Sequence, residues 1–168
     1  MDQKFQSVKT SYPLLNYFLK KINSMVMIGV SASPLRASFF VARYFVLRGI
    51  SVIPVNPNYE GQYLWGEKVL GKISDIDLDK RVDLIDIFRP SKEVPHIVDD
   101  TIKYLKPLGC KTVWMQIGIR NKQAALRAKK NGLNVIMDKC PKIENQRLFG
   151  ELRVAGFNTN IISSKIEL

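Results

Sequence analysis

The sequence predicts an α/β fold of three layers, with five parallel strands in one sheet and helices on both of its faces. Three observations carry that expectation. Short apolar runs rich in β-branched residues recur along the chain. Segments of helical period separate most of them, and these end at Gly or Pro stop signals. A strand that is apolar along its whole length must be covered on both sides, which is the environment of a parallel sheet. The length of 168 residues suits one domain. A chain of that size buries roughly 70% of its unfolded surface.

Taken in order, residues 1–24 read as an N-terminal helical extension, with the helix itself over 13–21. Strands follow at 25–30, 51–55, 83–88, 111–117 and 133–138. The helix over 34–48 stops at Gly49, that over 91–106 is bounded by Pro90 and Pro107, and that over 121–130 stops at Asn131-Gly132. Residues 56–81 break the rhythm. They are turn-rich, with Asn56-Pro57-Asn58, Gly61, Gly66 and Gly71, and leave room for a short helix or an extra strand. The core domain is therefore 25–148, and 149–168 is an appended tail. The simplest arrangement is a Rossmann-like three-layer αβα sheet in the order 3-2-1-4-5. Ligands of such sheets sit beyond the carboxyl ends of the strands, at the switch point, here between strands 1 and 4. Attention falls on 29–38, 55–58, 88–90, 116–120 and 138–141.

Composition narrows the chemistry. With 46% hydrophobic and 24% charged residues, disorder, collagen and a disulfide scaffold are excluded. Cys110, Cys140 and the single His96 are too few for a structural zinc site, so no metal is expected. No apolar run reaches the length of a membrane span. Residues 1–24 lack the features of a secretory signal, and the first Arg is Arg36, which favours a cytoplasmic location over mitochondrial import. The 26 basic and 15 acidic side chains give a net charge of +11, unevenly spread. No acid lies between Gln3 and Tyr59 or between Thr101 and Met137, whereas ten lie from Glu60 to Asp100. Two acid-free zones suggest an anion site built from the first and last thirds of the chain, although a high pI alone would also fit nucleic-acid binding, so charge narrows the ligand to something negative and no further; a homo-oligomer is left open.

The loop after the first strand is the most informative stretch. Gly29 permits a tight turn, Ser33 is a good N-cap, and Pro34 suits the first helical position. The positive end of the following helix then faces the pocket, where phosphate is favoured. Arg36 in that first turn opposes the helix dipole unless an anion is bound beside it. A NAD-binding loop would have G-x-G-x-x-G, but Ser31 and Pro34 replace its second and third glycines. It would also have an acid after the second strand, where Val55-Asn56-Pro57 stands.

These residues carry a resemblance. The chain is similar to the stand-alone CoA-binding proteins, whose domain resembles the CoA-binding domain of the succinyl-CoA synthetase α subunit. The matching stretches are Gly29-Val30-Ser31 with Pro34, Arg36 and Ser38; residues 52–57; Asp86-Ile87-Phe88-Arg89; Trp114-Met115-Gln116-Ile117-Gly118; and residues 132–141, ending Asp138-Lys139-Cys140-Pro141. The resemblance implies that coenzyme A or an acyl-CoA is bound. Val30, Ser31, Ala32 and Ser33, after Gly29, would hold its phosphates with Arg36 and Ser38. Asn56 and Pro57 would line the adenine and ribose, and Phe88 and Arg89 would frame the pocket. Gln116, Ile117 and Gly118 would pass the pantetheine arm. Relatives often have an acid where this chain has Lys122 before Gln123-Ala124-Ala125.

Chemistry is less evident than binding. His96 follows Pro95 near a helix start, away from the strand ends, and reads as a surface residue. Ligases of the related class use further domains, for which 168 residues leave no room, so a binding module is expected rather than an enzyme. Cys140 sits just past the fifth strand, where Lys139 would lower its pKa and a mixed disulfide with CoA would form under oxidation. Cys110 reads as structural, and Asp86 and Asp138 have no visible partner in sequence. The rivals are an NAD(P)-binding oxidoreductase-like domain and an RNA-associated protein using Arg120, Lys122, Arg127, Lys129 and Lys130. That basic helix lacks the interleaved aromatics that base stacking needs.

Overall fold

A computed structural model describes Leu15 and residues 19–148. Five parallel strands form the sheet: β1 (Ser24–Ile28), β2 (Ser51–Val55), β5 (Leu84–Ile87), β6 (Thr112–Met115) and β7 (Asn134–Ile136). A two-stranded hairpin, β3 (Tyr63–Leu64) with β4 (Glu67–Lys68), lies between the second and third of these. The helices are α1 (Ala37–Val46), α2 (Val94–Asp100), α3 (Lys122–Lys130) and α4 (Pro141–Leu148). Leu15 and residues 19–21 are helical, in keeping with the expected N-terminal helix. The rest of that extension and the tail lie outside the described residues.

The α/β Rossmann-like architecture is the expected one, but one strand changes place. The observed order is β2-β1-β5-β6-β7. The strand expected beyond β2 is β5, and it lies instead on the far side of β1. The place beyond β2 is taken by Leu70, which pairs in parallel with Val55 through a single bridge. Its N–H donates to Pro54 O at 2.9 Å, and its carbonyl accepts Asn56 N–H at 2.9 Å. The turn-rich connection thus contains a third strand reduced to one bridge. The longer apolar run after it takes the fourth place, and the switch point falls between β1 and β5.

Alternation within each strand divides the core in two. Met25, Met27, Leu84, Trp114 and Ile136 face α1 and α4, together with Val41, Phe45 and Cys140. Val26, Ile28, Ile85, Ile87, Val113 and Met115 face α2 and α3. Burying a Leu, Ile or Phe side chain contributes about 1.5–3 kcal/mol, so both layers clamp the sheet and leave its carboxyl edge to the loops. Leu15, Leu19 and Ile22, at helical spacing, close the first layer.

Several boundaries moved. The helix after β1 begins at Ala37, with Arg36 at the N-cap, rather than at Pro34 with Ser33 as cap. Ser33 instead caps a turn, its Oγ accepting Leu35 N–H at 3.4 Å and its carbonyl accepting Arg36 N–H at 3.1 Å. The helix expected over 91–106 begins at Val94, after a turn, and its last residues, Thr101–Leu105, form a π-helical turn. Helix α3 begins one residue later than expected, with Asn121 as its cap, Oδ1 accepting Ala124 N–H at 2.9 Å. Helix α4 was not foreseen. Pro141 hid it by resembling a loop residue, although Pro also suits a first helical position.

Candidate functional site

The carboxyl edge of the sheet gathers the candidate residues into two clusters. The first surrounds the β1–α1 loop. Gly29 has φ +85° and donates its N–H to Val55 O at 2.8 Å. A Cβ at Gly29 would lie 2.8 Å from Arg89 Cδ and 3.3 Å from Phe88 O, so the loop and the end of β5 meet only because this residue is glycine. Ser31, buried, donates its N–H to Ser38 Oγ at 3.0 Å. Its own Oγ accepts Ser33 N–H at 3.1 Å and lies 3.4 Å from Tyr59 Oη.

Asn56 completes this scaffold. Its Nδ2 donates to Val30 O at 2.8 Å, and its Oδ1 accepts Asn58 N–H at 3.1 Å. Both ends of the amide hold the protein's own loops, which makes Asn56 a support; Pro57 beside it is exposed. Val30 is wholly buried, and Ala32 and Ser33 are half-buried. Arg36 is exposed, and among the described residues no carboxylate pairs with it. It stands where the first amides of α1 also lack helical acceptors.

Phe88 and Arg89 are half-buried at the end of β5. Arg89 is held by Glu93, its Nε donating to Oε2 at 2.7 Å and its Nη2 to Oε1 at 3.1 Å. This bidentate pair places the guanidinium beside the Gly29 turn.

The second cluster spans β6, β7 and α4. Gln116 is buried, and its Nε2 donates to both oxygens of Asp86, at 3.1 and 2.8 Å. Burial of Asp86, only partly offset by Gln116 and Ile87, pushes its carboxyl from the usual 3.8 up to about 8. Ile117 and Gly118 are exposed. Gly118 N–H donates to Asp138 Oδ1 at 2.7 Å, and Arg120 pairs with the other oxygen. That backbone hydrogen bond, then Arg120, holds the Asp138 carboxyl below its ordinary value. Trp114 Nε1 donates to Lys139 O at 2.7 Å, fastening the β7–α4 loop onto β6.

The Cys140 reading changes here. Lys139 is engaged with Glu144, and Cys140 is buried within the core layer. Burial pushes its thiol up, the reverse of the activation expected from Lys139. Cys110 is also buried, and its thiol is pushed up to about 12, in line with a structural role. His96 is exposed on α2.

Sequence reasoning missed Tyr59, Glu93 and the partners of Asp86 and Asp138. Glu93 stands four residues after Arg89, a spacing that announces an ion pair when a turn or helix follows. The other contacts cross between strands, and nothing local signals them. Among the described residues no group of His, Cys, Asp or Glu could hold a metal. An open cleft of about 530 Å³ lies elsewhere, beside β2 and the hairpin, lined by Glu60, Glu67, Asp75 and Asp77 with Lys68 and Lys80. Its acidic lining does not suit a phosphate.

A family model described as a CoA binding domain matches residues 23–146, the whole of the sheet and both clusters. The chain belongs to the CoA-binding domain family. The uncharacterized protein YneT of Bacillus subtilis (strain 168) is 29% identical over 125 residues, covering 74% of this chain and 87% of its own. Among solved structures, cell-free ID.343 from Thermus thermophilus is 29% identical with a TM-score of 0.76, over 83% of this chain and 99% of that one. A hypothetical protein from Pyrococcus horikoshii OT3 is 27% identical with a TM-score of 0.77, over 89% of this chain and 100% of that one. No helix among the described residues is long and apolar enough to cross a membrane.

Proposed function

We propose that this member of the family binds coenzyme A or an acyl-CoA across the carboxyl edge of the sheet, as a non-catalytic or regulatory module of the cytoplasm. The observation that carries the reading is the β1–α1 loop. It is built in advance by Ser31, Ser38 and Asn56, opens on the amino end of α1, and leaves Arg36 without an acidic partner among the described residues. The residues fit the ligand. Backbone amides and Arg36 suit the phosphates, with Arg89 beside them. Pro57 and Phe88 offer apolar surface to the adenine and ribose. The exposed Ile117 and Gly118 flank a path for the uncharged pantetheine arm beside Gln116. Coenzyme A contributes the thiol or thioester; the protein contributes binding and orientation.

The NAD(P) alternative needs an acid or a phosphate-reading Arg at the end of β2. Asn56 stands there, both ends of its amide already engaged. A thermal-shift series with coenzyme A, acetyl-CoA, NADP and ATP separates the readings. Ligand at 100 times its Kd adds about 2.7 kcal/mol of stability. A shift with the two CoA species exceeding those with NADP and ATP is expected; a larger shift with NADP would overturn the reading. The burial of Cys140 favours non-covalent binding. Diamide treatment with coenzyme A should therefore leave an unmodified mass, and an adduct would restore the mixed disulfide.

A further inference from the structure

Asp86 is a carboxyl group with no exposure, inside a strand, between Met27 of β1 and Trp114 of β6. Its side-chain partner is the Gln116 amide, which donates from Nε2 to both oxygens. Gln116 lies one register step beyond Trp114, on the same face and nearer the carboxyl edge. Gln116 is itself 5% exposed, yet its Oε1 accepts no hydrogen bond among the described residues. A buried acceptor left unmatched costs about 1–3 kcal/mol, so this oxygen is waiting for a donor. The pantetheine arm carries secondary amide N–H groups of the required kind.

Resting on the coenzyme A reading, we propose that Asp86 is the positioning residue of this site: ionised, it fixes the Gln116 amide so that Oε1 is presented to an amide N–H of the ligand. The physical reason is the chemistry of the pair. An ionised carboxylate accepts hydrogen bonds and offers none, so Gln116 must turn its NH₂ inward and its oxygen outward. A protonated carboxyl has an O–H to place. The amide then turns its oxygen inward to accept it, and the outward acceptor is lost. Ligand binding and deprotonation of Asp86 therefore favour one another.

The side chains packed around Asp86 are largely apolar. Met27 and Trp114 carry no charge, and Val41, Ala42 and Phe45 of α1 bury apolar surface in that layer. Tyr44 of α1 donates its hydroxyl to Asn145 of α4 at 2.8 Å. Cys140, at the start of α4, is the titratable group that senses the Asp86 charge, which adds to the effect of burial on the thiol. Lys139 and Arg147 pair with Glu144, and Arg120 pairs with Asp138.

Calorimetric titration with acetyl-CoA, whose thioester removes the cofactor's own thiol titration, tests the proposal. From about pH 6.5 to about pH 9 the affinity should rise roughly tenfold, the equivalent of a one-unit fall in the carboxyl pKa on binding. Binding near pH 8 should release protons, measured as a dependence on buffer ionisation enthalpy. Asp86→Asn should flatten the profile and abolish the release, and Cys140→Ser should leave both unchanged. A wild-type protein that binds acetyl-CoA with a flat profile and no proton release overturns the inference and leaves the coenzyme A reading standing. No binding at any pH overturns that reading, and the inference with it. Should Asp86→Asn fail to fold, the proton release of the wild type still decides.

Discussion

The two ends of the carboxyl edge satisfy their polar groups in opposite ways. Around β1 and β2 the loop is held by neutral groups: Ser31 to Ser38, Asn56 to Val30, Ser33 to Ser31. None of these bonds uses a cation, and Arg36 stands exposed without an acidic partner among the described residues. Around β6 and β7 the loops are held by charge. Arg120 faces Asp138, Lys139 faces the buried Glu144, and the fully buried carboxyl of Asp86 rests on an amide. A helix amino terminus beside an unpaired Arg offers electrostatic attraction to a phosphate. A region whose charges already cancel offers mainly shape and neutral hydrogen bonds. The proposed ligand has the same division, with its phosphates at the nucleotide end and an uncharged arm at the other.

The largest effect expected from breaking this contrast belongs to Asp86. Its folded pKa of about 8 exceeds the ordinary 3.8, so between these values the unfolded chain is ionised while the folded one keeps its proton. The folded state then binds more protons, and stability falls as pH rises through that window, by several kcal/mol in order of magnitude. Urea unfolding of Asp86→Asn between pH 4 and 8 should show a markedly flatter dependence than the wild type. An unchanged slope would show that the carboxyl titrates normally. Next comes Gly29→Ala. The left-handed φ of +85° and the approach of Phe88 O leave no strain-free place for a Cβ. A loss of about 2–3 kcal/mol is expected, together with displacement of Arg89. Equal melting curves would contradict the close meeting of β1 and β5.

The strands and α3 were legible because each is announced by local pattern: apolar runs, a helical period and the stop at Asn131-Gly132. The position of β5 was not. Which side of β1 an incoming strand takes is decided by what already lies beyond β2, and Leu70 holds that place with one bridge, too little to read as a strand. The β1–α1 loop was legible as a glycine turn before a helix. Its internal economy was not, because Ser33 and Asn56 look like ligand contacts in sequence and act as supports in the fold. Cys140 shows the same limit in reverse. A neighbouring Lys suggests an activated thiol, but burial outweighs a cation already paired with Glu144.

Arg36→Ala probes the unpaired end directly. It should leave the melting temperature of the free protein nearly unchanged, because the side chain is exposed and makes no hydrogen bond or ion pair among the described residues. Affinity for coenzyme A should fall by about 1–3 kcal/mol, the range for a lost hydrogen bond to a charged group, and the loss should shrink at high salt.

The smallest effect belongs to the matching cation at the other end. Arg120 is exposed, as Arg36 is, but its partner Asp138 also receives Gly118 N–H, which is the larger reason its carboxyl stays ionised. Removing Arg120 therefore leaves the loop fastened. Exposed ion pairs contribute about 0–1 kcal/mol, so Arg120→Ala should change both stability and coenzyme A affinity by less than that limit. The comparison between the two arginines is the sharper measurement. Calorimetry should find the Arg36 variant much the weaker binder at low salt, although the two lose the same formal charge. Equal losses would mean that coenzyme A responds only to the summed positive field of the chain, and the distinction between a free and a paired cation would carry no weight.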